Sequence, residues 1–157
     1  MRTLSVVVLA ILLARATWAQ EVGRVCVGNP ARVDDEGVRI EWLESSPPLC
    51  SVLVRRTSVK LEFQLRYSLL TAKTGSIVLW FTDTRGNPLT VSKPGGGGID
   101  AVSIPIANGV GTVETFSIDI VVPDIRRDLL LRLAVADAEG RRRLSRGDVW
   151  LLYKISK

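Results

Sequence analysis

The residues best equipped for chemistry cluster near the end of the chain, in "GRRRLSRGDVWLLY" from Gly140 to Tyr153. Arg141, Arg142, Arg143 and Arg146 place four guanidinium groups close together, and such a cluster can hold carboxylate, sulfate or phosphate groups through charge-assisted hydrogen bonds. Arg146-Gly147-Asp148 is also a tripeptide that cell-adhesion receptors read. A three-residue match is cheap in a chain this rich in arginine and glycine. The favoured reading of the stretch is therefore a solvated turn into a last strand, with polyanion contact as the alternative. Trp150 follows at once, and Trp80 sits in a second strand-like segment. Both fall opposite the apolar stripe of their segments, where an indole can serve as a platform for a sugar ring or a partner protein. A strand covered on both faces would bury them instead. Trp80, Trp150 and the four arginines are the candidate ligand contacts.

Other chemistries find little support in the sequence. The chain contains no histidine, which removes Ser-His-Asp and Cys-His nucleophile systems and every zinc site built on imidazole. Asp83-Thr84-Arg85-Gly86 and Asp137-Ala138-Glu139-Gly140 share the D-x-x-G pattern of nucleotide switches, but no G-x-x-x-x-G-K-[ST] loop accompanies them. They read better as turns, with Asp at the first position and Gly in the left-handed conformation. The glycines Gly95 to Gly98 lead into "IDAVSIPI", a strand pattern, whereas phosphate cradles open onto a helix N-terminus. Asp34, Asp35 and Glu36 lack the alternating spacing of an EF-hand loop. Carboxylates on distant strands could pair for glycoside hydrolysis, yet nothing nominates a pair. The expectation is a non-enzyme with no cofactor and no metal.

"MRTLSVVVLAILLARATWAQ" reads as a secretory leader, with Arg2 before an apolar run and Thr17-Trp18-Ala19 as a cleavage site before Gln20. The run is too short for a bilayer, which needs about 20 apolar residues. This predicts a leader at 1–19 and a single domain at 20–157, secreted to the periplasm, cell surface or beyond, with no transmembrane segment in the mature chain. The leader carries Arg2 and Arg15 and no acid, so the remainder holds 19 basic and 16 acidic residues, a mild +3. That balance argues against a nucleic-acid partner, since phosphate binders concentrate charge on one face. An unidentified protein or polysaccharide is the expected partner. Cys26 and Cys50, an even count in an exported chain, predict one disulfide.

Periodicity sets the fold class. In "SVKLEFQLRYSLL", Val59, Leu61, Phe63, Leu65, Tyr67 and Leu69 alternate with polar residues, the signature of a strand with one face on a core. "GVRIEW", "SIVLWF", "ETFSIDIVV" and "DVWLLYKIS" repeat the pattern. Turn signals separate them at Ser45-Ser46-Pro47-Pro48, Lys73-Thr74-Gly75, Gly86-Asn87-Pro88 and Asn108-Gly109. "PDIRRDLLLRLAVADAEG" carries helix-favouring residues between Asp124 and Gly140. Its Leu129, Leu131, Leu133 and Val135 alternate, with Arg132 opposed, and a strand over 128–136 is favoured.

Short strands with punctuated turns imply an all-β sandwich or barrel. The run "LEFQLRYSLL…GSIVLWFTDTRGNPL…GTVETFSIDIVVPDIRRDLLLRLAVADAEG", residues 58 to 140, resembles the immunoglobulin-like or fibronectin type III-like modules of exported bacterial proteins. The resemblance implies an immunoglobulin-like antiparallel β-sandwich that displays loops, and it assigns no function. The cysteines do not bracket a Trp between sheets as in antibody domains. The reading is an exported, non-catalytic binding or structural module. Its rivals are a carbohydrate-binding module using Trp80 or Trp150, a carboxylate-pair hydrolase, and an inhibitor of a secreted enzyme.

Overall fold

The computed structural model describes Cys26 and residues 32–157, so the expected leader at 1–19 lies outside the described residues. Among the described residues ten strands follow in order: β1 (Arg32–Asp35), β2 (Val38–Ser46), β3 (Val52–Leu53), β4 (Ser58–Asp83), β5 (Pro88–Leu89), β6 (Val91–Ser92), β7 (Gly98–Ile99), β8 (Ala101–Val121), β9 (Leu129–Ala136) and β10 (Val149–Ile155). The protein is all-β and mostly antiparallel, the parallel contact being β3 against β10. The main hydrogen-bonded path runs β3-β10-β9-β4-β8-β6-β7, with β2 and β5 also on β4 and β1 beyond β2.

The period-two reading of β4 holds residue by residue. Leu61, Phe63, Leu65, Tyr67 and Leu69 are buried while Glu62, Gln64, Arg66 and Ser68 are half-buried on the other face. The segment 128–136 is strand, as favoured. Every residue of β9 except Arg132 is buried, because β4 and β10 flank it and a connecting loop covers its outer face. That double cover is why its sequence is almost continuously apolar.

Two expected turns are not turns. Lys73-Thr74-Gly75 lies within β4 and Asn108-Gly109 within β8, so four anticipated strands fuse into two long ones. The reason is that the two segments face each other across one ribbon. The β4–β8 register breaks between Leu69 and Thr74, where β4 takes up extra residues as an irregularity rather than reversing. Gly75 serves close approach here, since a Cβ on it would meet Leu69 Cδ2 at 2.9 Å and the Ala136 carbonyl oxygen at 3.0 Å.

The break also folds the ribbon. Residues 58–69 of β4 run between β2 and the end of β8, and 76–83 run between β9 and the start of β8. Ser45 pairs with Phe63, and Tyr153 lies across β9 from Asp83. A straight strand would hold these sites roughly 60 Å apart at about 3.3 Å per residue. Yet the Tyr153 hydroxyl lies beside Ser45, and Phe63, Phe81, Ile40, Leu131 and Tyr153 belong to one buried core. The network therefore doubles back over a shared core.

Candidate functional site

Pairing across the second half of the network assembles a row on its outer face. Ala101 of β8 lies opposite Trp80 of β4, Trp80 opposite Arg132 of β9, and Arg132 opposite Trp150 of β10. The inward neighbours Leu79, Phe81, Leu131, Val149 and Leu151 are all at most 1% exposed. Alternation then obliges the two indoles to face outward, where both are half-buried. They are neither sealed in the core nor fully open.

Arg132 joins the row to its surroundings. Its Nη1 donates to Asp148 Oδ2 at 2.9 Å and its Nε to Thr82 Oγ1 at 3.1 Å. Sequence reasoning noted Arg132 only as the polar residue of an apolar strand. Its isolation among buried neighbours is the one signal that could have nominated it.

The connection from β9 to β10 brings the arginines to this face. Asp137 opens a turn in which the Gly140 N–H donates to its carbonyl at 2.9 Å, and the Arg141 N–H donates to its Oδ1 at 2.8 Å. Gly140 takes φ +70° and settles against the sheet, with Ser103 Oγ 2.9 Å from where a Cβ would stand. The Leu144 N–H then donates to the Val135 carbonyl at 2.8 Å, which folds the loop back over β9. As a result the Arg143 guanidinium carbon sits 5.1 Å from the centre of the Trp80 ring, within cation–π range. A shallow hollow of about 240 Å³ opens beside them, with Val78, Ala134 and Ala136 as floor and Trp80, Arg141 and Arg143 at the sides.

The four arginines line two hollows that share Arg143. Arg141 and Arg143 border the Trp80 hollow, and Arg143 borders, with Arg142 and Arg146, a second hollow of about 300 Å³ that also holds Asp35 and Glu36. Arg146 Nε pairs with Asp35 Oδ2 at 3.3 Å, and Arg143 Nη1 lies 3.8 Å from Asp148 Oδ1. Within the Arg146-Gly147-Asp148 tripeptide the Asp148 carboxylate is engaged by the fold, while the Arg146 side chain stays 82% exposed. Asp148 serves Arg132 and Arg143, and the Gly147 carbonyl accepts from Ser145 Oγ at 2.9 Å. Arg126 and Arg127 lie elsewhere, beside Leu89, Ile125 and Asp83, with Arg127 3.4 Å from Asp83.

Both D-x-x-G segments are the turns their composition suggests. Asp83 accepts from the Arg85 and Asn87 N–H groups and from the Asn87 amide, and Gly86 takes φ +83°. Asn87 holds the Asp83 carboxyl below its usual range, helped by the backbone N–H groups and by the Arg127 charge, while burial pulls the other way. The backbone N–H groups of Arg142 and Arg141 hold Asp137 down likewise, with burial opposing. Neither carboxylate is poised to carry protons near neutrality.

Cys26 and Cys50 are disulfide-bonded. The Cys50 N–H donates to the Leu152 carbonyl at 2.9 Å, so the bridge holds Cys26 beside a residue anchored to β10. Among the described residues no group of three or more His, Cys, Asp and Glu side chains could hold a metal ion. Among them also, no helix is long and apolar enough to cross a membrane.

No family model matches this chain. No curated protein matches it either. The functional reading therefore rests on the geometry of the outer face.

Proposed function

We propose that the chain is an exported, non-catalytic binding module: a single immunoglobulin-like β-sandwich at 20–157, released from a leader at 1–19, that engages a protein or polysaccharide through its outer face. The observation that carries this reading is the Trp80–Arg132–Trp150 row, two half-exposed indoles flanking a partly buried guanidinium on one sheet face. Trp and Arg are among the residues that most often dominate binding energy, Trp through a large contact area at low entropic cost and Arg through its planar fork of donors. Solubility alone would be served by small or charged residues at these positions. The absence of histidine supports binding over catalysis. The disulfide is compatible with an oxidising, exported location.

The test compares the exported chain with a Trp80→Ala/Trp150→Ala variant on an array of glycans and on immobilised extracellular proteins. Loss of a specific signal in a variant that is folded at the assay temperature, with the wild-type circular dichroism spectrum, supports the reading. A specific signal retained by the variant would place the binding surface elsewhere, and no specific signal from either protein would leave a purely structural module.

A further inference from the structure

We propose that the Trp80 hollow selects a carboxylated sugar, so that the natural ligand is a uronate-bearing polysaccharide; the proposal rests on the binding-module reading and names its ligand class. Neutral sugars stack on bare aromatic rings. Here the Trp80 ring is capped by the Arg143 guanidinium at 5.1 Å, so an arriving sugar meets positive charge at the ring.

That charge is incompletely neutralised. Asp148 is shared between Arg132 at 2.9 Å and Arg143 at 3.8 Å, and the Arg143 side chain is 47% exposed. Arg141 is exposed, and its acidic neighbour is Asp137, which already accepts from the Arg141 N–H at 2.8 Å. Two guanidiniums thus reach one hollow with donors to spare, in the fork geometry that matches a carboxylate.

Size and spacing point to a repeating unit of a longer chain. A hollow of about 240 Å³ falls below the roughly 300–1,000 Å³ of sites that enclose a whole small molecule, and it suits one ring. Val78, Ala101, Ala134 and Ala136 make much of its lining apolar. Trp150 lies two strands from Trp80, roughly 9.6 Å away at the usual strand spacing. Alternate units of an extended polysaccharide span a similar distance, so one chain can touch both indoles across Arg132. A protein carboxylate would use the arginines but would have no need of the second indole.

The experiment titrates the exported chain, disulfide intact, with hexagalacturonate, its fully methyl-esterified form, and dextran sulfate, a polyanion without carboxylates. The expected result is binding of the acid form and at least tenfold weaker binding of the ester, since a hydrogen bond to a charged group typically contributes about 1.5–3 kcal/mol. Arg141→Gln should weaken the acid form about tenfold and leave the ester unchanged. Trp150→Ala should weaken both forms while circular dichroism stays wild-type. Equal affinity for acid and ester overturns the proposal in favour of a neutral-sugar site. Dextran sulfate binding that is steeply salt-dependent and indifferent to Trp150, without binding of hexagalacturonate, overturns it in favour of a non-specific polyanion surface. If neither uronate form binds but another ligand is lost in the Trp80→Ala/Trp150→Ala variant, the ligand class is wrong and the binding face stands. If no ligand depends on either indole, both readings fall.

Discussion

Asp148→Asn tests how the outer face is held together. Asp148 is 17% exposed on its side chain and lies 2.9 Å from Arg132, itself 26% exposed. A hydrogen bond to a charged group in such a setting is worth about 1.5–3 kcal/mol. The second contact, to Arg143 at 3.8 Å and 47% exposed, is solvent-screened and worth no more than about 1 kcal/mol. Asparagine keeps an acceptor oxygen for Arg132 while removing the charge, so the net loss should be about 1–2 kcal/mol. Urea unfolding followed by circular dichroism reads this as a lower midpoint at unchanged slope. A double-mutant cycle with Arg132→Met sharpens it, because a true pair gives a coupling energy of at least 0.5 kcal/mol. Additive effects, or a neutral Asp148→Asn, would show that Arg132 is solvated independently and that the row is not preorganised. The same variant bears on the adhesion tripeptide. Its carboxylate is already engaged within the fold, so soluble Arg-Gly-Asp peptide should not compete with any ligand of this protein.

Leu65→Ala should cost about 2–5 kcal/mol, as expected for a fully buried leucine, whereas the adjacent Gln64→Ala should fall within about 0.5 kcal/mol; equal effects on the denaturation midpoint would refute the β4 register. Asp83 and Asp137 have folded pKa values below their usual ones, so their contribution is present above the ordinary carboxylate range and is lost as pH falls through the lowered values. Acid unfolding should accordingly be shallower in Asp83→Asn than in the wild type. Reducing the Cys26–Cys50 bridge, which spans 24 residues, should lower stability by about 3 kcal/mol on the chain-entropy model, measurable as a drop in the urea midpoint with reductant. Arg143→Ala should cost about 0.5–1 kcal/mol through its contact with Trp80, while Arg142→Ala should cost less than that in the same assay.

The strand faces were legible because alternation is a local property. Leu61 to Leu69 point where their spacing says, and β9 is strand although leucine, arginine and alanine favour helix. Tertiary pairing with β4 and β10 overrides that local preference. The long ribbon was not legible. Lys73-Thr74-Gly75 and Asn108-Gly109 have turn composition, and only their juxtaposition across β4 and β8 makes them a register break. The site was half legible. Trp80 and Trp150 could be placed opposite their apolar stripes, but their union through Arg132 depends on strand order, which spacing does not encode. The meeting of Arg143 with Trp80 depends on the Leu144 and Ser145 N–H groups finding the Val135 carbonyl, a fold-back that no sequence period announces. Two signals that looked separate, an aromatic platform and a basic loop, are one surface.

The most direct test of the central claim is a side-by-side glycan and protein array with the wild-type exported chain and Trp80→Ala/Trp150→Ala, each first shown by circular dichroism to be folded at the assay temperature. The account predicts a specific wild-type signal that the variant loses. A specific signal retained in full by the variant would place the binding surface elsewhere on the molecule and contradict the account.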